Sequence, residues 1–192
     1  DLLGSRFNGY DMQRALNARG ITADQIVMER MGSDPHTRLL STHLGGGCLR
    51  SRIVTGEQKV SIHAMIYPYL LKLKNMPEFQ KADVVHYHLL HNFFGSLPLF
   101  PQVTTLKPAV LTVHDPWIFT GHCVYPRECS KWMTGCGECP HLDDHFSMEK
   151  DRTVLQWKVK QKIFSKVNLD LVVASDYMMD LVKRSPITRY IK

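Results

Sequence analysis

Short apolar runs alternate with amphipathic segments along this chain, and each apolar run is led into by polar residues. The runs have the length and the β-branched content of buried strands. They are Ala23–Met28, Asp83–His88, Ala109–Val113 and Asp170–Ala174. Alternation of such strands with helices predicts an α/β fold, a Rossmann-like parallel sheet flanked by helices.

Helical spacing of apolar residues fills most of the intervals between these strands. A first helix carries Phe7 and Tyr10 and ends at Gly20, a residue typical of helix C-termini. Further helices are predicted at Ile62–Leu73, Phe93–Phe100 (ending at Pro101), Val154–Lys166 and Asp176–Arg184, the last one capped by Ser175. Between 30 and 60 the pattern is ambiguous, with a strand at Arg52–Thr55 and a flexible loop at the three glycines 45–47.

The length, net charge and apolar runs of the chain narrow the classes of protein that it can represent. It has 192 residues, which suits one domain or one lobe of a larger protein, and a net charge of +6. The basic residues are spread along the chain, so nucleic-acid binding is not favoured by charge alone. No apolar run reaches the ~20 residues of a spanning helix, and no signal-peptide pattern occurs, so we expect a cytoplasmic protein.

The helix at Val154–Lys166 carries Lys158, Lys160, Lys162 and Lys166. A solvated helix face is the favoured interpretation of these lysines. Contact with an anionic membrane surface at its inner face is the alternative.

A loop that is unusually long for a compact domain follows the strand Ala109–Val113, spanning residues 114–150. It holds four of the five cysteines, with the spacing Cys123-x5-Cys129-x6-Cys136-x2-Cys139. Four clustered cysteines in a reducing compartment suggest a structural zinc, with His122, His141 and His145 as reserve ligands. Plain thiols or disulfides without metal remain the alternative, and Cys48 is expected to be an inert buried thiol.

Histidines concentrate where the predicted strands end. His86, His88 and His91 belong to or follow one strand, and His114 and Asp115 follow the next. In open α/β sheets, ligands bind outside the carboxyl ends of the strands. We therefore expect His86, His88 and His91 to line a cleft or the core in preference to holding a metal. Trp132 is expected to anchor the loop to the body of the domain.

The stretch VLTVHDPWIFTGHCVYPRECSKWMTGCGECPHL resembles a segment of a bacterial subgroup of family-4 glycosyltransferases. Three other stretches resemble the same family in the same order: SRFNGYDMQRALNARG, ADVVHYHLLHNFF and LDLVVASDYMMDLVKRSP. The resemblance covers nearly the whole chain, and the cysteine loop is its most specific part.

That resemblance implies a GT-B enzyme with two Rossmann-like lobes and a retaining mechanism in which no catalytic metal is required. Residues 1–192 would be the N-terminal, acceptor-binding lobe, with residues 114–150 as a cysteine-rich loop inside it. The C-terminal lobe that binds the nucleotide-sugar donor would be absent, so this fragment alone is expected to be inactive. The acceptor would be a glycan or a lipid-linked saccharide of a surface polysaccharide.

The resemblance also implies roles for individual residues. Its catalytic positions match His114 and Asp115. The loop that approaches the donor diphosphate matches Gly4, Ser5, Arg6 and Asn8. Its acceptor-binding candidates are His88, His91, Trp117 and Thr120. The alternative from another functional class is a zinc-stapled binding module for nucleic acid or protein.

Overall fold

The computed structural model of the chain describes residues 9–40, 46–91 and 95–191. Side chains are described in the same ranges except at 46–48, so the side chain of Cys48 lies outside them. The helices are α1 Tyr10–Asn17, α2 Gly46–Lys59, α3 Leu70–Leu73, α4 Pro77–Lys81, α5 Phe100–Thr104, α6 Thr153–Phe164 and α7 Asp176–Arg184. The strands are β1 Gln25–Val27, β2 Thr37–Leu39, β3 Val85–His88, β4 Ala109–Val113 and β5 Asp170–Val173. Short 3-10 turns lie at Leu97–Leu99, Pro116–Phe119 and Lys131–Met133.

All strand pairs in the described part of the chain are parallel, which confirms the α/β prediction. One sheet has the order β3-β4-β5, and a second pairs β1 with β2. Parallel neighbours need a crossover, and helices supply it between β3, β4 and β5. Their carboxyl ends therefore meet at one edge, where His88 and the residues after Val113 emerge.

The core lies on one face of the three-stranded sheet. Tyr87 from β3 and Leu111 and Val113 from β4 are at most 3% exposed, whereas alternate residues point to the opposite face. The ends of the predicted terminal helix are confirmed: Ser175 caps α7 by accepting a hydrogen bond from the Met178 N–H at 3.2 Å.

Two predictions about the stretch before β3 are wrong. Arg52–Thr55 is not a strand, since it lies inside helix α2. Of the helix predicted at Ile62–Leu73, only Leu70–Leu73 is helical. The buried carboxylate of Glu57 accepts the N–H groups of Ala64, Met65 and Ile66 at 2.7–3.0 Å, so these donors are unavailable to a helix.

The glycine segment and the proline segment also differ from expectation. Gly46 begins α2, so a flexible loop was wrong there, while Gly45 lies outside the described residues. The helix predicted at Phe93–Phe100 is wrong for its described part: residues 95 and 96 are not helical, Leu97–Leu99 form a 3-10 turn, and α5 begins at Phe100, where the predicted helix was expected to end. Proline is tolerated in a first helical turn, where its missing N–H would have had no helical partner.

Within the described ranges, no helix is long and apolar enough to cross a membrane.

Candidate functional site

The ends of β3 and β4 bring two predicted site histidines into direct contact. His88 is paired in register with Thr112, and His114 follows two residues later on the same face. The Nδ1 atom of His88 lies 2.9 Å from the Nε2 atom of His114, and the ring centroids are 5.2 Å apart. A hydrogen bond therefore joins a residue predicted to bind the acceptor to the residue predicted to be catalytic.

His86 extends this cluster along β3. Its ring lies 4.1 Å from the ring of His88, and its Nε2 atom is 2.6 Å from the hydroxyl of Thr112. Burial lowers the pKa of all three clustered histidines, and it lowers that of His88 to about 3, with neighbouring imidazoles adding to the effect. The imidazoles are therefore neutral at pH 7 and can donate or accept hydrogen bonds.

Asp115 turns away from this cluster toward His91. Its carboxylate accepts the Trp117 N–H at 2.9 Å and lies 3.3 Å from the Nε2 atom of His91. Burial raises the pKa of Asp115 and lowers that of His91 to about 3. Neutral His91 therefore faces Asp115 as an N–H donor, and the contact is not an ion pair at pH 7.

The remaining predicted acceptor residues are inside the protein. Trp117 and Thr120 are each 1% exposed, and His91 is 5% exposed. The ring of His91 lies 5.1 Å from that of Trp117, and the Thr120 hydroxyl donates to the Cys123 carbonyl at 2.6 Å. This packing leaves these side chains almost no surface for an acceptor.

Lys160 is fully buried beside the 3-10 turn at Pro116–Phe119. Its ammonium donates to the carbonyls of Trp117 and Thr120 at 2.6 and 3.0 Å and lies 3.5 Å from the Trp117 ring centroid. Burial lowers its pKa to about 7. The solvated-face interpretation was wrong for Lys160, although Lys158, Lys162 and Lys166 are exposed.

Lys160 is a residue that reasoning from sequence missed, although the signal was present. The buried positions of α6 include Trp157, Lys160, Ile163 and Phe164, which lie at helical spacing on one face. A lysine in that stripe has to find partners inside the protein, and here they are two backbone carbonyls.

The four loop cysteines converge on one cavity with about 290 Å³ of empty space, part of it open to solvent. All four are free thiols, and Cys123 and Cys139 share a hydrogen bond. Burial raises the pKa of Cys123 to about 12 and that of Cys136 to about 11. Within residues 9–40, 46–91 and 95–191, no group of three or more His, Cys, Asp or Glu side chains has the arrangement of a metal site.

Hydrogen bonds fasten the cysteine loop to the start of α6. The Asp151 carboxylate accepts the N–H groups of Cys139 and Thr153 at 2.7 and 2.9 Å, and the Thr153 hydroxyl accepts the Gly137 N–H at 3.0 Å. Gly121 donates its N–H to the Cys136 sulfur at 3.2 Å. The loop is thus tied by hydrogen bonds to the start of α6.

Trp132 anchors the loop as expected. It is 4% exposed, its ring lies 5.2 Å from that of Phe119, and its carbonyl accepts the Trp157 indole N–H at 2.8 Å. The predicted donor-side residues Gly4, Ser5, Arg6 and Asn8 lie outside the described residues.

The fold and the polar cluster at the strand ends define an α/β protein with its candidate site where such proteins bind ligands. No protein-family model matches the chain, and no solved structure matches it. Over 88 residues it is 33% identical to an Escherichia coli K12 protein named "Putative colanic acid biosynthesis glycosyl transferase WcaC". The match covers 42% of this chain and 22% of that protein, so it spans less than a quarter of the relative. This partial similarity supports a relationship to glycosyltransferases.

Proposed function

We propose that this chain is the acceptor-side lobe of a retaining, family-4 glycosyltransferase with the GT-B architecture. The full enzyme would move a sugar from a nucleotide-sugar donor to a glycan or lipid-linked acceptor during surface-polysaccharide synthesis. The observation that carries the proposal is the His88–His114 pair at the carboxyl ends of two adjacent parallel strands. The similarity to a glycosyltransferase of polysaccharide synthesis supports the same reaction class.

In this proposal, His114 contacts the reacting sugar or the acceptor hydroxyl. Burial keeps its imidazole neutral at pH 7, so it can form a directional hydrogen bond without a charge. Gly4, Ser5, Arg6 and Asn8 would approach the donor diphosphate, which backbone N–H groups and basic side chains can stabilise without a metal.

In the same proposal, the buried residues of the site support the residues that contact the acceptor. Lys160 fixes the turn at Pro116–Phe119 through two carbonyls, and that turn carries the N–H that binds Asp115. Trp117, Thr120 and His91 would then shape the acceptor side without touching the sugar. Direct acceptor contact falls to His114 and Asp115.

The test is a transfer assay on the full-length enzyme, with product detected by mass spectrometry from a panel of nucleotide sugars. We expect His114→Ala to lower kcat about 100-fold or more, while the thermal unfolding midpoint stays close to that of the wild type. The control is His36→Ala, which replaces a histidine that contacts Asp24 and precedes β2, about 50 residues before His88 in the sequence. Near-normal turnover by His114→Ala would refute the assignment.

We further propose that the cysteine loop holds a structural zinc. Its support is that Cys123, Cys129, Cys136 and Cys139 all line the same cavity. Because no described group has the arrangement of a metal site as it stands, the four sulfurs would have to draw together on binding. Four thiolates would complete the tetrahedral shell that zinc prefers.

Metal content of the purified full chain, measured by mass spectrometry, tests this proposal. One zinc per chain is expected in the wild type and in Cys48→Ser, and less in Cys136→Ser. A metal-free wild type with four titratable loop thiols, or with a Cys123–Cys139 disulfide, would contradict it.

A further inference from the structure

The contact between His88 and His114 determines which nitrogen of His114 is available to a ligand. The Nε2 atom of His114 is taken by the Nδ1 atom of His88 at 2.9 Å. The other ring nitrogen of His114, Nδ1, forms no hydrogen bond within the described part of the chain and is not among its buried unpaired atoms. It is therefore the nitrogen that remains open to a ligand.

We propose that His88 is a positioning residue, which holds the ring of His114 in one orientation and one tautomer so that Nδ1 faces the sugar or the acceptor hydroxyl. The role in transfer rests on the function proposed above. The geometric part concerns only the two rings and stands independently of any reaction.

The ring of His88 is itself held in place by its neighbours. Its ring lies against that of His86, whose Nε2 atom contacts the Thr112 hydroxyl on the neighbouring strand β4. The Nε2 atom of His88 is buried and has no hydrogen-bond partner. The hydrogen bond to His114 is thus the polar contact that stabilises this orientation of the His88 ring.

The protons of the pair follow from this bond. Each neutral ring carries one N–H, and one of the two N–H groups fills the bond between the rings. If His88 donates, the Nδ1 atom of His114 carries its proton, and if His114 donates, its Nδ1 atom is a bare acceptor. His114 can therefore change tautomer only if His88 changes with it, and that change moves a proton onto or off the buried, unpartnered Nε2 atom of His88. The two arrangements differ in energy for this reason, so the bond favours one tautomer, whereas a free imidazole exchanges between two.

His88 positions the ring and does not relay protons. A relay would need to place a second proton on His88, creating an imidazolium in a buried site without a described carboxylate contact. Burial and the neighbouring imidazoles His86 and His114 oppose that charge. Any proton that His114 accepts at Nδ1 therefore stays on His114.

The experiment is two-bond ¹H–¹⁵N correlation spectroscopy of the full chain with ¹⁵N-labelled histidine at pH 7.5. Signals of His114 are assigned by their loss in His114→Ala. We expect a single tautomer for His114 in the wild type. In His88→Phe, which keeps a ring but removes the bond, the His114 nitrogens should average between tautomers.

A conservative variant separates the bond from the packing. His88→Asn keeps a polar atom at the position of Nδ1 and should restore the single tautomer. His36→Ala is the control that should leave the His114 signals unchanged. Averaged tautomers in the wild type, or a single tautomer that survives His88→Phe, would overturn the proposal.

Transfer kinetics of the full-length enzyme give the second readout. His88→Phe should lower kcat about tenfold, equivalent to about 1.4 kcal/mol of activation free energy, with KM changed little. His88→Asn should recover part of the loss. If the spectra behave as expected and the wild type transfers no sugar, the proposed function fails and the positioning geometry stands. If transfer occurs and the spectra contradict the pair, the reverse holds.

Discussion

His63 should make the stability of this protein strongly dependent on pH. The ring is buried, stacks on Phe146 with a centroid distance of 3.9 Å, and has an Nε2 atom 2.8 Å from the carbonyl of His91. Burial is the main reason that its pKa falls from 6.5 to about 4, and the positive charge of Lys160 adds to the effect.

The direction of this pH dependence follows from the proton that the unfolded chain binds at His63. Above pH 6.5 neither state binds this proton, so the contribution of His63 to stability is fully present. Below pH 6.5 the unfolded ring binds the proton while the folded ring resists it until about pH 4. The resulting loss of stability is about 2 kcal/mol at pH 5 and about 3 kcal/mol below pH 4, since one pKa unit corresponds to about 1.4 kcal/mol.

Urea unfolding at pH 7.5 and pH 5, followed by tryptophan fluorescence, measures this loss. His63→Phe keeps an aromatic ring against Phe146 but cannot bind a proton, so it should lose about 2 kcal/mol less than the wild type on acidification. His145→Phe is the control, because His145 is exposed and contacts the same Phe146 ring. Equal acid losses in the wild type and in His63→Phe would refute the reasoning.

Three further predictions use the same unfolding assay at pH 7.5. Glu57→Ala should cost about 3 kcal/mol or more, because three buried or half-buried N–H groups lose their acceptor, and a loss below about 1 kcal/mol would contradict this. Gly121→Ala should lower the free energy of unfolding by about 2 kcal/mol, because its Cβ would collide with the Thr153 carbonyl. Gly56→Ala meets open space in α2 and should raise the free energy of unfolding by about 0.5–1 kcal/mol. Equal effects of the two substitutions would contradict this packing. Ser175→Ala should cost about 1 kcal/mol through the lost cap of α7, and a neutral result would mean that water replaces the hydroxyl.

Four of the five described strands were predictable because their signals are local, whereas β2 Thr37–Leu39 was missed. Ala109–Val113 and Asp170–Val173 are short β-branched runs, and the structure reproduces them within one residue. The segment at Ile62–Leu73 was not predictable in the same way. Its apolar spacing suits a helix, but a carboxylate from the preceding helix, Glu57, takes its N–H groups, and Ser61 and Ala64 adopt positive φ angles of 51° and 58°. Such tertiary competition leaves no trace in periodicity.

The candidate site was likewise predictable only in part. Strand-end logic placed His88 and His114 at one edge of the sheet, and the structure joins them by a hydrogen bond. The same logic could not show that Trp117 and Thr120 point inward, because they lie in a loop without periodicity. Lys160 was assigned to solvent from its charge, although its helical register placed it with Trp157 on the buried face.

Lys160 lies between the two candidate sites of the described structure, the cysteine loop and the strand-end residues. Its ammonium holds the carbonyls of Trp117 and Thr120, which lie between Asp115 and Cys123. The Asp115 carboxylate favours this ammonium, and Cys136 and Cys123 would favour it as well if they were thiolates. Both thiols are neutral at pH 7 because burial raises their pKa values. Binding of a metal, which requires thiolates, would therefore alter the electrostatic environment of the cation that fixes the Asp115 turn. The cysteine loop and the strand-end site share this one buried cation, so they should respond to perturbation together.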